Sequence, residues 1–504
     1  MILDIKKVSH LRRYVIMACT TLLVGKEASF DGSTIISRSE DSPSGIFTAK
    51  RFIVVKPEDQ PRKYESVLSG CKVDLPDNPM RYTALPNSDT FEGDWAASGV
   101  NEKNISMSAT ETITTNSRVQ GADPLIQYPT KEEKCGGIGE EDFVTLVLPY
   151  INSAREGVER LGKLLEEHGT YESNGIAFQD VDEIWWLETI GGHHWMARRV
   201  PDDAYVVMPN QLGIDYFDFD DAYGEQNEFM CSKDLKEWSE KHHLFLDQED
   251  YINPRLAYGS HDHSDHTYNT PRAWIMLRYF NPKTLIWDGV DADFTPESDD
   301  LPWAMVPERK ITVEDMKTIL SSHYEGTPYD CYAKHGDPNY RGMYRPLGIS
   351  RDNVTHFTQI RPYAPEEIRA IQWLSFGSNA FNAAVAFYAN VETTPSYVGD
   401  QVVKATSENF YWANRIIAAL CDAHFNKTAI FIERYQGAIQ SKSNEIINKY
   451  DEEFAKNSAN AHELLEKANQ EMSDFLKEKT DKLLHDVLFT ASCEMKNGFA
   501  RSDN

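Results

Sequence analysis

The chain has 504 residues, of which 41% are hydrophobic and 26% are charged, a composition typical of a globular protein with a substantial core. Its formal net charge of -28 repels nucleic acid phosphates and anionic lipids, so we expect neither nucleic acid nor a membrane as a partner. No stretch approaches the roughly 18 consecutive apolar residues that a membrane-spanning helix needs.

The first predicted elements are β-strands. Residues 20–24 are β-branched and aliphatic, the dipeptide Asp31-Gly32 marks a turn, and residues 33–40 continue as a second strand. Residues 52–56 predict a third strand, and "GVNEKNISMSATET" (99–112) predicts a turn followed by another strand.

Farther along the chain, residues 141–168 carry apolar side chains at helical spacing and predict an amphipathic helical region. Residues 181–190 and 204–210 return to strand patterns, and residues 282–307 are rich in loop signals. From residue 428 onward an apolar stripe runs between Lys and Glu residues, which is typical of a helix packed on the body or in an oligomer contact.

These patterns predict an α+β protein built from one large domain. The expected organisation is a leader over residues 1–18, one large α+β domain over residues 19–427, and a helical C-terminal region over residues 428–504.

Seven cysteines are spread singly along the chain: Cys19, Cys71, Cys135, Cys231, Cys331, Cys421 and Cys493. They are odd in number and include no CxxC pair, which argues against a disulfide framework and against a cysteine-rich zinc site. This usage is typical of a reducing compartment, so we expect a cytoplasmic protein.

Residues 1–18 form a short basic leader in front of Cys19. The leader is charged like the start of a signal peptide, but its apolar run covers only residues 14–18, shorter than the roughly 7–15 residues of a secretory signal. Met17 is a second candidate start, which leaves only Met17 and Ala18 before the cysteine. Three roles for Cys19 stay open here: a buried cysteine, a lipid attachment site, and a nucleophile exposed when the leader is removed.

The predicted hairpin gives Cys19 its neighbours. Antiparallel pairing of the first two strands places it opposite residues 38–41, so that Arg38 and Asp41 lie on the adjacent strand. A nearby cation lowers the pKa of a thiol. An isolated strand cysteine is ordinarily a small buried apolar residue, and the hairpin geometry alone favours that interpretation.

Cleavage before Cys19 would add a base to this arrangement. The new α-amino group would have a pKa of about 7.7–8.0 and would belong to the nucleophilic residue itself. It can take the thiol proton without any histidine, as in other N-terminal nucleophiles, and Asp41 is placed to orient it.

Motifs for other chemistries are incomplete. "AHELLEK" (461–467) begins like HExxH but has Glu466 in place of the second histidine, so it lacks a zinc protease site. "GSHDHSDH" (259–266) holds metal-binding residue types without a standard spacing, and a hydrogen-bonded loop is the favoured interpretation. His193 and His194 are interpreted as structural. The chain has no P-loop, GxGxxG or GxSxG motif, and we expect neither metal nor cofactor.

Several long strings carry a family resemblance: "CTTLLVGKEASFDGSTIISRSEDS" (19–42), "GGIGEEDFVTLVLPYINSAREGVERLG" (136–162), "YNTPRAWIMLRYFNP" (268–282), "GTPYD" (326–330) and "FGSNAFNAAVAFYANV" (376–391). With them the chain resembles the cysteine dipeptidases of the N-terminal-nucleophile hydrolase superfamily, the dipeptidase A group, with secernins as more distant kin. The resemblance runs from Cys19 to about Asn426 and fades in the C-terminal helices.

The resemblance implies a four-layer αββα sandwich, in which two antiparallel sheets lie face to face and helices cover both outer sides. It also implies a precursor that removes a short propeptide to expose Cys19. The implied activity is a metal-independent thiol protease that hydrolyses unblocked dipeptides through a thioester, as a homo-oligomer.

Roles are carried over residue by residue. Cys19 resembles the N-terminal nucleophile, and Arg38 and Asp41 in "RSED" match the Arg and Asp that follow it in the choloylglycine-hydrolase-like branch. Asn210 in "VVMPNQLG" resembles the asparagine that helps to bind the oxyanion. Arg272 in "NTPRAW" resembles the later arginine of that branch, and Arg278 is a competing candidate for the same role.

Glu111 departs from the pattern. Where the amidases of that branch carry an asparagine after "GVNEKG", this chain has "SATET", which places Glu111 there. A carboxylate repels an oxyanion but attracts an ammonium, so we expect Glu111 to select the free α-amino group of a dipeptide.

Two other functions stay open. One is an amidase or acylase that cuts non-peptide N-acyl amides with the same nucleophile. The other is a lipid-anchored surface protein that uses Cys19 as its attachment site.

Overall fold

The computed structural model describes residues 19–43, 45–109, 111–127, 136–247 and 251–496. The predicted leader and Cys135 lie outside these described residues. The strands are β1 (Cys19–Val24), β2 (Thr34–Asp41), β3 (Ile53–Val55), β4 (Lys63–Glu65), β5 (Lys72–Asp74), β6 (Tyr82–Ala84), β7 (Ser98–Asn101), β8 (Ser106–Ser108), β9 (Glu111–Thr112), β10 (Asn174–Gln179), β11 (Ile184–Ile190), β12 (His194–Arg199), β13 (Tyr205–Met208), β14 (Phe229–Cys231), β15 (Ala304–Met305), β16 (Asp352–Ile360), β17 (Ala370–Phe376) and β18 (Val385–Tyr388).

The α-helices in the same part of the chain are α1 (Ser117–Ala122), α2 (Glu140–Val147), α3 (Ala154–His168), α4 (Phe219–Tyr223), α5 (Leu235–Lys241), α6 (Pro254–Tyr258), α7 (Asp265–Tyr268), α8 (Thr270–Phe280), α9 (Val313–Leu320), α10 (Ser396–Gly399), α11 (Phe410–Asp422), α12 (Phe425–Lys456) and α13 (Ala461–Cys493). Short 3-10 turns occupy Pro57–Asp59, Leu148–Tyr150, Glu366–Ile368 and Asn379–Phe381.

The strands form two large antiparallel sheets. The first has the order β15-β13-β1-β2-β16-β17-β18, which places β1 and β2 in its interior. The second has the order β14-β12-β11-β10-β8-β7-β6-β3, and β9 also pairs with β10. The predicted α+β class is therefore confirmed.

Side chains of β1 alternate between two environments. Leu23 shares a buried cluster with Ala177 and Trp186 of the second sheet, so the two sheets face each other there. Leu22 and Val24 belong instead to a cluster with α8, α9, α11, α12 and α13. Helices α2 and α3 pack against the other side of the second sheet.

The hairpin of β1 and β2 follows from its turn residues. Gly32 has a φ of 84°, which favours glycine, and the Asp31 carboxylate accepts the Ser33 N–H over 3.1 Å. The register pairs Cys19 with Glu40, within the predicted range of residues 38–41. The predicted hairpin and its register are therefore confirmed.

Residues 141–168 do not form one continuous helical region. A 3-10 turn at Leu148–Tyr150 separates α2 from α3. Pro149 has no backbone N–H to continue the helix, and the Ser153 side chain accepts the Glu156 N–H to start α3 anew. Apolar spacing continued across this break, which is why the sequence pattern did not reveal it.

The two long C-terminal helices α12 and α13 pack against each other, and α13 also contacts β18 and α11. Asn469 of α13 accepts the Tyr388 N–H over 2.8 Å and donates to the Tyr388 carbonyl over 3.0 Å, so it covers the open edge of β18. Among the described residues, no helix combines the length and apolar character that crossing a bilayer requires.

Candidate functional site

Cys19 begins β1, and strand alternation directs its thiol to the same side as Thr21 and Leu23, toward the second sheet. Arg38 donates from Nη2 to Cys19 Sγ over 2.9 Å across the hairpin. Both side chains are fully buried. The predicted contact between this thiol and a guanidinium is therefore present.

The charge of Arg38 is shared with two carboxylates. Its Nη2 lies 2.6 Å from Glu140 Oε1, and its Nη1 lies 3.3 Å from Glu40 Oε2. The other oxygen of Glu40 pairs with Lys50 at 2.6 Å. Burial lowers the pKa of Arg38, but the Cys19 thiol and the two carboxylates raise it overall, so the guanidinium remains charged.

The backbone of Cys19 is held by two further predicted residues. Its N–H donates to Asn210 Oδ1 over 3.2 Å, and its carbonyl accepts from Arg272 Nη1. Arg272 also donates to Thr20 Oγ1 over 2.6 Å and to Asn210 Oδ1 over 2.7 Å. The N–H and the carbonyl of Cys19 are thus both bound to side chains from distant parts of the chain.

Arg272, and not Arg278, lies against Cys19. Arg272 is fully buried in α8, and it also donates to Asn269 Oδ1 over 2.8 Å. Arg278 lies farther along the same helix and pairs with Asp288 near the surface at 2.8 Å. Side chains six positions apart do not share a face of an α-helix, so Arg272 is buried while Arg278 is partly exposed.

Asn210 has its amide orientation defined by its partners. Its Oδ1 faces two donors, Cys19 N and Arg272 Nη2, while its Nδ2 donates to the Thr112 carbonyl over 2.8 Å. Turning the amide over would bring nitrogen against those two donors. In this arrangement the carbonyl oxygen of Asn210 orients the nitrogen of Cys19.

Asp41 has a different environment from the one predicted. Its Oδ2 pairs with Arg345, and its Oδ1 is buried without a hydrogen-bond partner among the described residues. The carboxylate that accompanies Arg38 on β2 is Glu40. Arg38 and Glu40 share one face of the strand because they are two residues apart, whereas Asp41 points to the other face.

Glu111 reaches the site from the second sheet. It pairs with Gly175 through β9, and its Oε2 accepts the Thr21 hydroxyl over 2.8 Å. Its Oε1 is buried without a hydrogen-bond partner in the described chain. Burial raises the pKa of Glu111 to about 8, although Arg272 and Arg38 lower it. The carboxyl is therefore mostly protonated at neutral pH.

The thiol of Cys19 also carries its proton. Burial raises its pKa well above that of a free cysteine. Arg38 lowers the pKa, but Glu111, Glu140 and Glu40 raise it again. A preformed thiolate is therefore disfavoured, and a nucleophilic role requires a base.

The histidine motifs are explained by local hydrogen bonds. His193 and His194 place Nδ1 at 3.0 Å and 2.7 Å from the carboxylate of Asp123. Burial raises the pKa of Asp123, but these bonds lower it to about 2. In the histidine-rich loop, His266 Nε2 lies 3.0 Å from Asp299. These contacts agree with the structural interpretation made from the sequence.

Sequence reasoning missed Glu140, which forms the shortest ion pair of Arg38. A signal was available, because residues 140–142 are three acidic residues that begin an otherwise apolar helix. All three are buried, and burial raises the pKa of Glu141 and Asp142. No comparable sequence pattern surrounds Arg345, the partner of Asp41.

Comparison with known proteins identifies the family. The model of peptidase family C69 matches residues 18–438. The chain therefore belongs to peptidase family C69, and the family expected from the motifs is confirmed.

Relatives match the chain over nearly its whole length. It is 55% identical to a dipeptidase of Bifidobacterium longum (strain NCC 2705), over 97% of this chain and 100% of that protein. It is 51% identical to a probable dipeptidase A of Streptococcus pyogenes serotype M3, over 97% and 100%. It is 43% identical to a probable dipeptidase B of Lactococcus lactis subsp. lactis, over 96% and 98%. The similarity thus continues through the C-terminal helices, where we expected it to fade.

The raised pKa of Glu111 predicts a pH-dependent stability. The unfolded chain releases this proton near its usual pKa of about 4.3, whereas the folded chain keeps it to about 8. Protonation of Glu111 therefore stabilises the fold. As the pH rises between these two pKa values, the free energy of unfolding declines by at most ~1.4 kcal/mol per pH unit. Glu111→Gln has no proton to lose. Urea denaturation should show the variant gaining stability relative to the wild type from about pH 5 to about pH 8; parallel profiles would contradict the assigned pKa.

Proposed function

We propose that this protein is a dipeptidase that hydrolyses unblocked dipeptides, with Cys19 as an N-terminal nucleophile exposed by removal of a short propeptide. The observation that supports this most strongly is the contact set of Cys19, with Arg38 at its thiol, Asn210 at its nitrogen and Arg272 at its carbonyl. Membership of a peptidase family and the dipeptidase names of the relatives support the substrate class.

The architecture is consistent with this proposal. Two antiparallel sheets that face each other, with helices against both outer sides, fit the four-layer αββα sandwich of N-terminal-nucleophile hydrolases. In such a sandwich the nucleophile begins an interior strand, which is the position of Cys19 in β1.

The proposed base is the α-amino group of Cys19 itself. After cleavage of the Ala18–Cys19 bond, this amine has a pKa of about 7.7–8.0 and takes the proton of the thiol. Asn210 Oδ1 already accepts from the same nitrogen in the uncleaved chain, so it is placed to hold the amine. The raised pKa of the thiol makes such a base necessary.

The proposed reaction has two halves. The thiolate forms a bond to the carbonyl carbon of the dipeptide, the C–N bond breaks, and the leaving amine takes the proton held by the Cys19 amine. Water then attacks the thioester carbon and gives a proton to the same amine. The C–S bond breaks, the first amino acid is released, and the amine returns the proton to the sulfur of Cys19. No metal enters either half.

Stabilisation of the oxyanion is assigned to Asn210 and to backbone N–H groups, at roughly 2.7–4 kcal/mol per donor. The Nδ2 atom of Asn210 donates to the Thr112 carbonyl in the uncleaved chain. To bind the oxyanion, the same NH2 group has to donate its second hydrogen to the substrate. Asp41 is proposed to orient the amine through its unpartnered Oδ1, while Arg345 holds the other oxygen.

Glu111 is proposed to bind the ammonium of the substrate. Its Oε1 is buried without a partner among the described residues, and a desolvated carboxyl gains most from an opposite charge. Binding of a dipeptide ammonium drives the proton from Glu111, because the ion pair favours the charged carboxylate. Thr21 fixes the other oxygen and so fixes the direction of Oε1.

The nucleophile is tested by Cys19→Ala. The rate of hydrolysis of an unblocked dipeptide, measured as the release of free amino acids, should fall by at least about a thousandfold because no thioester can form. Cys421→Ala removes an equally buried thiol from the helical cluster and serves as the control. Retained activity in Cys19→Ala, or an equal loss in both variants, would exclude Cys19 as the nucleophile.

The ammonium site is tested by Glu111→Gln. KM for unblocked dipeptides should rise about tenfold or more, because a hydrogen bond to a charged group contributes roughly 1.5–3 kcal/mol. The matched control is Glu188→Gln, which changes another fully buried carboxyl that binds the Gly213 N–H instead.

Substrates separate this proposal from the amidase alternative. N-acetylated dipeptides lack the ammonium, so their hydrolysis should be poor in the wild type and unchanged in Glu111→Gln. An unchanged KM for unblocked dipeptides in Glu111→Gln would refute the ammonium site. Activity confined to N-acylated substrates would favour an amidase, and lipid bound to Cys19 would favour a surface anchor.

A further inference from the structure

A cluster of metal-binding side chains lies on the segment between α9 and β16, outside the contacts of Cys19. One ligand atom each from His323, Asp330 and Cys331 lies within 4.8 Å of the other two. The closest pair is His323 Nδ1 and Asp330 Oδ1, at 2.7 Å. In a tetrahedral zinc site such atoms stand roughly 3.3–3.5 Å apart. The three side chains could therefore hold one metal ion between them.

The second nitrogen of His323 has the partner that a metal-binding histidine requires. Nε2 lies 3.1 Å from Glu325 Oε1, and the other oxygen of Glu325 accepts from the Ser322 hydroxyl and the His323 N–H. Histidines that bind a metal through one nitrogen usually donate from the other to a carboxylate. Glu325 therefore orients the ring so that Nδ1 faces Asp330 and Cys331.

The remaining groups are also held in place. The His323 ring packs edge-on against Tyr332 and Phe425, with centroid distances of 4.9 Å and 5.0 Å. Asp330 Oδ1 accepts the Tyr332 N–H over 2.8 Å. Preorganisation of this kind lowers the entropic cost of binding an ion.

We propose that His323, Asp330 and Cys331 form a site for one zinc ion. The donor set of imidazole, carboxylate and thiol favours zinc over magnesium and calcium, which prefer oxygen ligands alone. Because Cys331 is exposed, an ion bound there would be accessible to water.

The proposed ion would stabilise a segment that supports the catalytic centre. It would join His323 to Cys331 and so close the loop that carries Tyr324. The Tyr324 hydroxyl donates to the Arg345 carbonyl over 2.8 Å, and the Arg345 side chain pairs with Asp41. The ion itself takes no part in the reaction of Cys19, so the two proposals stand or fall separately.

The site is tested with the purified full-length protein, freed of metal by a chelator that is then removed. Titration with Co²⁺ should give one equivalent bound, with the near-ultraviolet absorption of a cobalt–thiolate bond. Zn²⁺ should displace the Co²⁺ and raise the melting temperature.

Two cysteine variants make this test specific. Cys331→Ser should abolish the cobalt–thiolate band and weaken Zn²⁺ binding at least tenfold, with dipeptidase activity unchanged. Cys493→Ser removes the other exposed free cysteine among the described residues and should leave the cobalt–thiolate band and Zn²⁺ binding unchanged. Asp330→Asn should keep the band but weaken binding. Absence of the band in the wild type, or its survival in Cys331→Ser, would overturn the proposal.

Discussion

The constraint on which the site depends is the pairing of charges inside the protein. Arg38 is fully buried, and a buried charge is tolerated only when it is matched and hydrogen-bonded. Its partners are the thiol of Cys19, Glu140 from the start of α2, and Glu40 on its own strand. Strands β1 and β2 and the start of α2 are therefore brought together at the first residue of β1.

This pairing changes what Arg38 does to Cys19. A lone guanidinium at 2.9 Å would favour a thiolate, but burial raises the pKa of the thiol, and nearby carboxylates, Glu140 and Glu40 among them, oppose the lowering by Arg38. A raised pKa disfavours the thiolate, so a nucleophilic Cys19 needs a base. In our account that base appears on the same residue when the preceding peptide bond is cut, and Asn210 is already bonded to the nitrogen concerned. Activation and processing then become a single event.

The sequence predicted those features of the fold that neighbouring residues determine. The turn at Asp31-Gly32 and the two-residue period of the strands were enough for the hairpin and its register. The same period also separates Arg38 and Glu40 from Asp41, an inference that we did not draw from the sequence. The contacts of Arg38 with Glu140 and of Asp41 with Arg345 join residues far apart in the chain, and no periodicity encodes them. The positions of Asn210 and Arg272 in the site were expected only through the family resemblance, because single residues in unrelated segments carry no spacing signal.

The central claim is that Cys19 works with its own amine, which exists only after cleavage of the Ala18–Cys19 bond. Intact mass spectrometry of the purified, active protein tests this most directly, with Cys19→Ala expressed in parallel. The account predicts that the active chain begins at Cys19 and that the variant retains residues before position 19. A fully active protein whose mass includes residues before Cys19 would contradict it.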